Sequence, residues 1–192
     1  SCTGGASTAS CTAPLQDTAT HAGVGFATVV DDANHWVVDA ANSAGFIPVT
    51  GHAKSPSKAP PAGYRFPYGL FDVKLITGAP NTEATVVITY PQPLPPGAVY
   101  WKYGPKVVNG PSDWYVFPGA VIAGNTVTLT LKDQGAGDSD LSTPLSIIDP
   151  GGVAEPLVTT AQAIPTLSEW AQALLGVLLA VVGVLVLRRR HA

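Results

Sequence analysis

The clearest pattern in this sequence is the alternation of apolar and polar residues in short runs. In TVTLTL, Val127, Leu129 and Leu131 fall on one face and threonines on the other, as in an antiparallel strand with one buried face. Other short apolar runs, rich in β-branched or aromatic residues, are GVGFATVV (23–30), HWVVDA (35–40), LFDVKLI (70–76), ATVVITY (84–90), AVYWKY (98–103) and WYVF (114–117). Their regular spacing between turns predicts a mainly β chain folded as an antiparallel β-sandwich.

The segments between these runs are rich in Gly, Pro, Asp and Asn. Residues 31–34 predict a tight connection, so that the first two runs form a hairpin. The proline-rich stretch 54–63 predicts an extended surface loop. PGAVIAG (118–124) and DPGG (149–152) are interpreted as turns, and residues 1–20 as either a flexible leader or a strand that needs a partner.

The C-terminal end has a different pattern. From Leu167 to Leu187 the sequence contains one charge, Glu169 near the start, and the predicted helix is apolar around its circumference. Thr166 with Glu169 forms a capping box that predicts a helix start. At about 1.5 Å per residue the helix spans about 30 Å, the thickness of a bilayer core. A buried core helix is the alternative, although such helices are usually shorter or amphipathic.

A basic cluster, Arg188, Arg189 and Arg190, follows the predicted helix directly, and no other Lys or Arg occurs after Lys132. The positive-inside rule therefore predicts a cytoplasmic C-terminus and a β-region outside the membrane. The predicted organisation is a small-residue segment (1–20), a β-sandwich ectodomain (21–154), a linker (155–165), a hydrophobic helix (166–187) and a basic tail (188–192).

Composition narrows the class of protein. Hydrophobic residues make up 46% of the chain and charged residues 12%, which favours a folded domain over disorder. The net charge is −3 with no basic stripe outside the tail, and this excludes nucleic-acid binding. The chain begins at Ser1 and contains no Met, so we expect that a secretory signal peptide has been removed.

Two cysteines, Cys2 and Cys11, lie close together near the start of the chain. An oxidising extracellular compartment can join them in a short disulfide loop. Two free thiols are the alternative, since two cysteines do not make a disulfide framework.

Candidate chemistry is sparse. The sequence contains no GxSxG, HExxH, CxxC or P-loop motif, so we expect no catalytic activity. Asp133, Asp138 and Asp140 lie in the Gly-rich run DQGAGDSD, with Asp149 expected nearby. Several carboxylates on a flexible loop suit Ca²⁺, but Asp and Gly are also common in tight loops without a metal.

The aromatic residues of the β-region have two interpretations. They are Tyr64, Tyr68, Tyr100, Trp101, Tyr103, Trp114 and Tyr115. Some can stack on sugars, which would indicate an adhesive module. Packing within the sandwich is the expected role, because large aromatic side chains dominate ordinary cores.

One stretch of the β-region, about 64–154, resembles a known extracellular module. Its motifs in order are FPYGLFDVKL, PLPPGAVYWKYGP, WYVFPGAVIAGNTVTLTLKDQGAGDSDL and IIDPGGVA, and they are similar to those of the choice-of-anchor U domain. The resemblance implies a surface module attached by one of several anchoring signals, and it implies no chemistry.

The tail resembles the IPTL-type C-terminal sorting signal. The residues in motif positions are Ile164, Pro165, Thr166, Leu167 and Trp170, followed by the apolar helix and the arginines. The resemblance implies recognition by an exosortase, a membrane enzyme that processes such tails.

Together these features predict a non-catalytic structural protein of the bacterial surface, held through its C-terminal helix. Gly176, Ala180 and Gly183 lie along one helix face where backbones can approach, so we expect self-assembly into a homo-oligomer, filament or matrix. The alternative is an exosortase-processed, secreted or anchored adhesive module that binds glycans or Ca²⁺.

Overall fold

A computed structural model describes most of the chain: Cys2–Thr3, Thr8–Leu15, Gly23–Val30, residues 34–157 and Glu169–Arg190. The chain divides into two compact units, Ser1–Leu157, here called the β-domain, and Val158–Ala192. The described residues of the β-domain form strands β1 (Cys2–Thr3), β2 (Thr8–Leu15), β3 (Gly23–Val30), β4 (Val37–Val38), β5 (Gly45–Ile47), β6 (Tyr64–Arg65), β7 (Leu70–Ile76), β8 (Glu83–Thr89), β9 (Val99–Gly104), β10 (Asp113–Val116), β11 (Ala120–Ala123), β12 (Thr126–Lys132) and β13 (Ser146–Pro156). The second unit contains helix α1 (Glu169–Arg190).

The strands form two antiparallel sheets. The first has the order β1-β2-β3-β8-β12-β11, and the second has the order β10-β9-β13-β7-β4, with β5 also paired to β7 and β6 to β13. The prediction of a mainly β chain with antiparallel sheets and one C-terminal apolar helix is confirmed. The prediction of a loop at 54–63 is also confirmed, because this stretch contains no strand.

The core lies between the two sheets and follows from the alternation in the strands. In β12, Val127, Leu129 and Leu131 are fully buried, as predicted. In β8, Val86 and Ile88 occupy the equivalent inward positions and are opposite Leu129 and Val127 in register. Side chains of the second sheet complete this cluster, among them Phe71, Val73, Leu75, Tyr100, Ile147 and Val153. Burial of this apolar surface is the main force that holds the sheets together.

The predicted hairpin between residues 23–30 and 35–40 is wrong. Strand β3 pairs with β2 and β8 in the first sheet, whereas β4 pairs with β7 in the second. The chain therefore crosses from one sheet to the other at this point. A turn-rich connection permits both arrangements, and the choice depends on distant strands that a local pattern does not contain.

The N-terminal strand has the partner that the sequence required. All eight residues of β2 pair with β3, from Thr8 opposite Val30 to Leu15 opposite Gly23. The interpretation of 1–20 as a strand in need of a partner is therefore correct for Thr8–Leu15. The remaining part of 1–20, apart from Cys2–Thr3, lies outside the described residues.

Two segments interpreted as turns are strands. In PGAVIAG, Ala120–Ala123 forms β11, an edge strand joined to β12 by a two-residue turn at Gly124, whose φ is +60°, and Asn125. DPGG lies inside β13 rather than at a turn. β13 pairs with β7 from Ser146 to Gly151 and with β9 from Gly151 to Ala154.

The unusual composition of β13 has a packing explanation. Pro150 lies before the β9 pairing begins, so its missing N–H interrupts no bond to β9. Gly151 faces the core, where an added Cβ would lie 2.6 Å from the ring of Tyr100. At Gly152 an added Cβ would lie 2.5 Å from the carbonyl oxygen of Gly69. Both glycines are required by close neighbours rather than by a turn.

Candidate functional site

The first candidate site is helix α1. It begins at Glu169, three residues after the predicted cap, and continues through Arg190, three residues beyond the predicted end at 187. Arginine is a good helix former, and three positive charges at the C-terminal turn interact favourably with the helix dipole. The segment from Gln172 to Arg190 is long and apolar enough to cross a membrane, and its side chains are exposed.

The sorting residues lie next to this helix in the sequence. Ile164, Pro165, Thr166 and Leu167 are outside the described residues, so the predicted capping box stays a prediction. Trp170 lies in the first turn of α1, and Arg188, Arg189 and Arg190 form its last turn. At about 1.5 Å per residue the helix therefore places Trp170 and the arginines about 30 Å apart along its axis.

The second candidate site is the Asp-rich loop between β12 and β13. Asp133 is fully buried, and its Oδ2 accepts hydrogen bonds from the backbone N–H groups of Asn81 (2.9 Å) and Leu145 (3.3 Å). Both of these residues have positive φ, 60° and 64°, a conformation that is uncommon for residues other than Gly. The carboxylate therefore stabilises two strained turns of the backbone. Its other oxygen, Oδ1, has no hydrogen-bond partner.

Asp138 organises the same loop. It is 1% exposed, and its oxygens accept hydrogen bonds from the backbone N–H groups of Asp140 (2.8 Å), Gln134 (3.0 Å) and Ile148 (3.1 Å). Burial raises the pKa of Asp138, and these three donors oppose that rise. Strand β9 pairs with β13 only from Gly151 onward. Asp138 therefore accepts the hydrogen bond from the N–H of Ile148, which lies in the part of β13 before that pairing begins.

Asp138→Ala is expected to destabilise the β-domain by about 2–4 kcal/mol, since three backbone donors lose their acceptor inside the protein. Asp140→Ala is the matched control, because the carboxylate of Asp140 accepts hydrogen bonds from two exposed hydroxyls, those of Ser142 (3.4 Å) and Thr143 (2.8 Å); its expected cost is about 1 kcal/mol or less. Guanidinium unfolding of the full chain in mild detergent, followed by tryptophan fluorescence, measures both. Equal midpoints for the two variants would contradict the role given to Asp138.

Calcium binding at Asp133, Asp138 and Asp140 stays a prediction. Among the described residues no group of three or more His, Cys, Asp or Glu side chains has a metal-binding arrangement. Five backbone N–H groups already bind these two carboxylates. Two of them donate to Oδ2 of Asp133 and three donate to the oxygens of Asp138. These contacts favour the interpretation of the aspartates as loop anchors.

The two cysteines lie on neighbouring antiparallel strands. Cys2 of β1 is directly opposite Cys11 of β2. Opposed residues in such a pair have Cα atoms about 4.5–5.5 Å apart, within the range of about 4.4–6.8 Å found for disulfides. The backbone register is therefore compatible with the bond, which stays a prediction.

The structure brings together two charged residues that are far apart in the sequence. Lys102 of β9 and Asp149 of β13 form an ion pair in which both side chains are 0% exposed. Burial lowers the pKa of Lys102 and raises the pKa of Asp149. Asp149 is close to the Asp-rich loop, as the sequence suggested, because the preceding residue Ile148 donates its backbone N–H to Asp138 (3.1 Å). It is not a turn residue, however, but points into the core from strand β13.

A signal for this pair was present in the sequence. In VYWKYG, Lys102 has the same strand parity as the buried Tyr100 and Gly104, so alternation places it on the inward face. Asp149 lies within the apolar run IIDPGGVA. A Lys and an Asp in two such positions predict a buried pair, provided that the strands are neighbours.

The aromatic residues divide between the core and the outer face of the second sheet. Tyr68 and Tyr100 are buried in the core. On the outer face Tyr64 contacts Trp101, and Tyr103 contacts Trp114, with ring centroids 5.4 Å apart in both pairs. The proline-rich loop lies over this cluster: the indole N–H of Trp114 donates to the carbonyl oxygen of Lys58 (3.2 Å), and the hydroxyls of Ser57 and Tyr103 are 2.9 Å apart.

Comparison with known protein families gives one match in the tail. Residues 162–191 match the model described as the IPTL-CTERM motif. No curated protein and no solved structure matches the chain. The match supports a C-terminal sorting signal, and with the exposed apolar helix it fits an exported protein that is anchored to the membrane or held at the surface.

Proposed function

We propose that this chain is a non-catalytic structural protein of the bacterial surface whose tail is processed by an exosortase. The observation that carries the proposal is the coincidence of the sorting motif at 162–191 with a membrane-length apolar helix ending in three arginines. An arginine cluster directly after an apolar helix keeps that end in the cytoplasm. The β-domain, which precedes the helix, then lies on the outer side.

The contacts of the charged side chains support a structural role for the β-domain. Asp133 and Asp138 bind backbone N–H groups, Lys102 pairs with Asp149, and Arg65 pairs with the buried Glu155 at 2.9 Å. Each of these buried carboxylates has a contact that stabilises a loop or a strand pair. The resemblance of 64–154 to the choice-of-anchor U module agrees with such a role, because it implies a surface module without chemistry.

Removal of the helix follows from the type of signal. A sorting motif that directly precedes a membrane helix places the processing point close to the non-cytoplasmic face of that membrane. An exosortase can act there before the helix leaves the bilayer. Retention of the helix, with many copies packed through Gly176, Ala180 and Gly183, is the competing fate. The two fates differ in the mass of the mature chain.

The test is the intact mass of the protein isolated from cells that have the exosortase and from cells that lack it. We expect a product ending near Thr166 in the first case and a membrane-embedded full-length chain in the second. Replacing Ile164–Leu167 by four alanines should block processing, while alanines at Thr159 and Thr160, just outside the matched region, should not.

Two results would overturn the proposal in different ways. A full-length chain in cells with an active exosortase, sedimenting as a large oligomer in mild detergent, would show that the helix is an assembly element. A full-length monomer under the same conditions would show a permanent anchor.

A further inference from the structure

The pair Lys102 and Asp149 is unusual in its position. The two residues are 47 positions apart in sequence and lie on the neighbouring strands β9 and β13, where Lys102 is opposite Gly151. Nζ of Lys102 contacts Oδ1 of Asp149, and both side chains are completely buried. By contrast, the ion pairs Lys54–Asp72, Lys58–Asp113 and Arg65–Glu155 each have a partner at the surface, and both partners of Lys74–Asp39 are partly exposed.

The surroundings leave this ion pair poorly compensated. Oδ2 of Asp149 has no hydrogen-bond partner, and neither does the hydroxyl of Tyr100, a fully buried residue on which the Asp149 charge acts. The ring of Phe117 lies 5.2 Å from Nζ of Lys102. A buried ion loses several kcal/mol of hydration, and the loss is recovered only when its remaining hydrogen-bonding groups are satisfied. Here they are not.

We propose that Lys102 and Asp149 condense to form an intramolecular amide between Nζ and Cγ, which cross-links β9 to β13. The Nζ lone pair attacks Cγ, a new N–C bond forms, and one C–O bond breaks. The leaving oxygen takes two of the three ammonium protons and departs as water. All atoms come from the two side chains, so the step needs no oxidant, reductant or additional reactant.

The fold provides what the reaction requires. An ammonium ion is not a nucleophile and a carboxylate is a poor electrophile, so the proton must first pass from Nζ to the carboxyl. Burial favours the neutral amine and the neutral acid over the charged pair. The two strands hold the reacting groups in contact, which removes most of the entropic cost of bringing them together.

The product also suits the core better than the reactants. The amide is neutral, so the hydration penalty of two buried charges disappears. Its polar groups are one carbonyl oxygen and one N–H. The cross-link closes the chain between Lys102 and Asp149 covalently, which restricts the unfolded state as a disulfide does.

The test is the mass of the reduced, denatured full chain after it has folded. We expect a mass lower than that of the sequence by one water molecule. Tryptic digestion should fail to cut after Lys102, and fragmentation should identify one branched peptide that contains both Lys102 and Asp149. Lys54 and Asp72 serve as an internal control: their ion pair is 2.8 Å long, but the lysine is 41% exposed, so these residues should remain in separate peptides.

Variants identify the source of any water loss. Lys102→Met and the double variant Lys102→Met, Asp149→Leu should have the full mass of their own sequences; the double variant keeps the site apolar and is designed to fold. The proposal is wrong if the folded natural chain has its full sequence mass, or if Lys102→Met still lacks one water. It is also wrong if the branched peptide joins any residues other than Lys102 and Asp149.

Discussion

Asp149→Ala is expected to lower the free energy of unfolding of the β-domain by about 3–5 kcal/mol, because it leaves the ammonium of Lys102 buried without its partner. No solvent reaches either side chain, so water cannot replace the lost carboxylate without opening the sandwich. If the amide forms, the same substitution also removes the cross-link. Asp149→Ala therefore lowers the free energy of unfolding whether the natural protein contains the ion pair or the amide.

Asp113→Ala is the matched control for this prediction. Asp113 forms an ion pair with Lys58 at 3.1 Å, but the two side chains are 61% and 49% exposed. Exposed pairs of this kind contribute about 0–1 kcal/mol. Denaturant unfolding of the full chain in mild detergent, followed by near-ultraviolet circular dichroism, compares the two variants. A similar loss for Asp113→Ala and Asp149→Ala would contradict the importance given to burial.

The double variant Lys102→Met, Asp149→Leu distinguishes the ion pair from the amide by stability. Replacing a buried ion pair by apolar residues is often neutral or stabilising, so an uncross-linked natural protein should be no more stable than the double variant. Closing a loop of about 48 residues contributes about 4 kcal/mol in the chain-entropy description. A cross-linked natural protein should therefore exceed the double variant in stability by an amount of this order.

The sequence predicted the strands well where local pattern and burial agree. β7, β8, β9, β10 and β12 are predicted within one residue at each end, because each is a short run of β-branched or aromatic residues between turns. The alternation with a period of two is clearest in β12. β13 was missed because Pro150, Gly151 and Gly152 locally indicate a turn. Their true reason is tertiary: Tyr100 and Gly69 approach the strand too closely for a side chain.

In the candidate sites, too, local features are predicted from the sequence and tertiary contacts are not. The apolar helix and its arginines are local features, and the sequence located both, although the helix extends three residues further than predicted. The Asp-rich loop was also found, but its hydrogen bonds to Asn81 and Ile148 come from distant segments. The pairing of Lys102 with Asp149 depends on which strands are neighbours, and no local pattern contains that information.

Replacing Leu179 and Val182 by aspartates is expected to prevent stable insertion of helix α1 into the membrane. Each acidic residue at the centre of a membrane helix costs about 2.5–3.5 kcal/mol, and both positions lie near the middle of the segment Gln172–Arg190. The Leu179→Ala, Val182→Ala variant is the matched control, because it shortens the same side chains without adding charge. Alkaline extraction of membranes from cells that lack the exosortase should release the aspartate variant and retain the alanine variant. If the aspartate variant stays embedded in the membrane, helix α1 is not what anchors this protein.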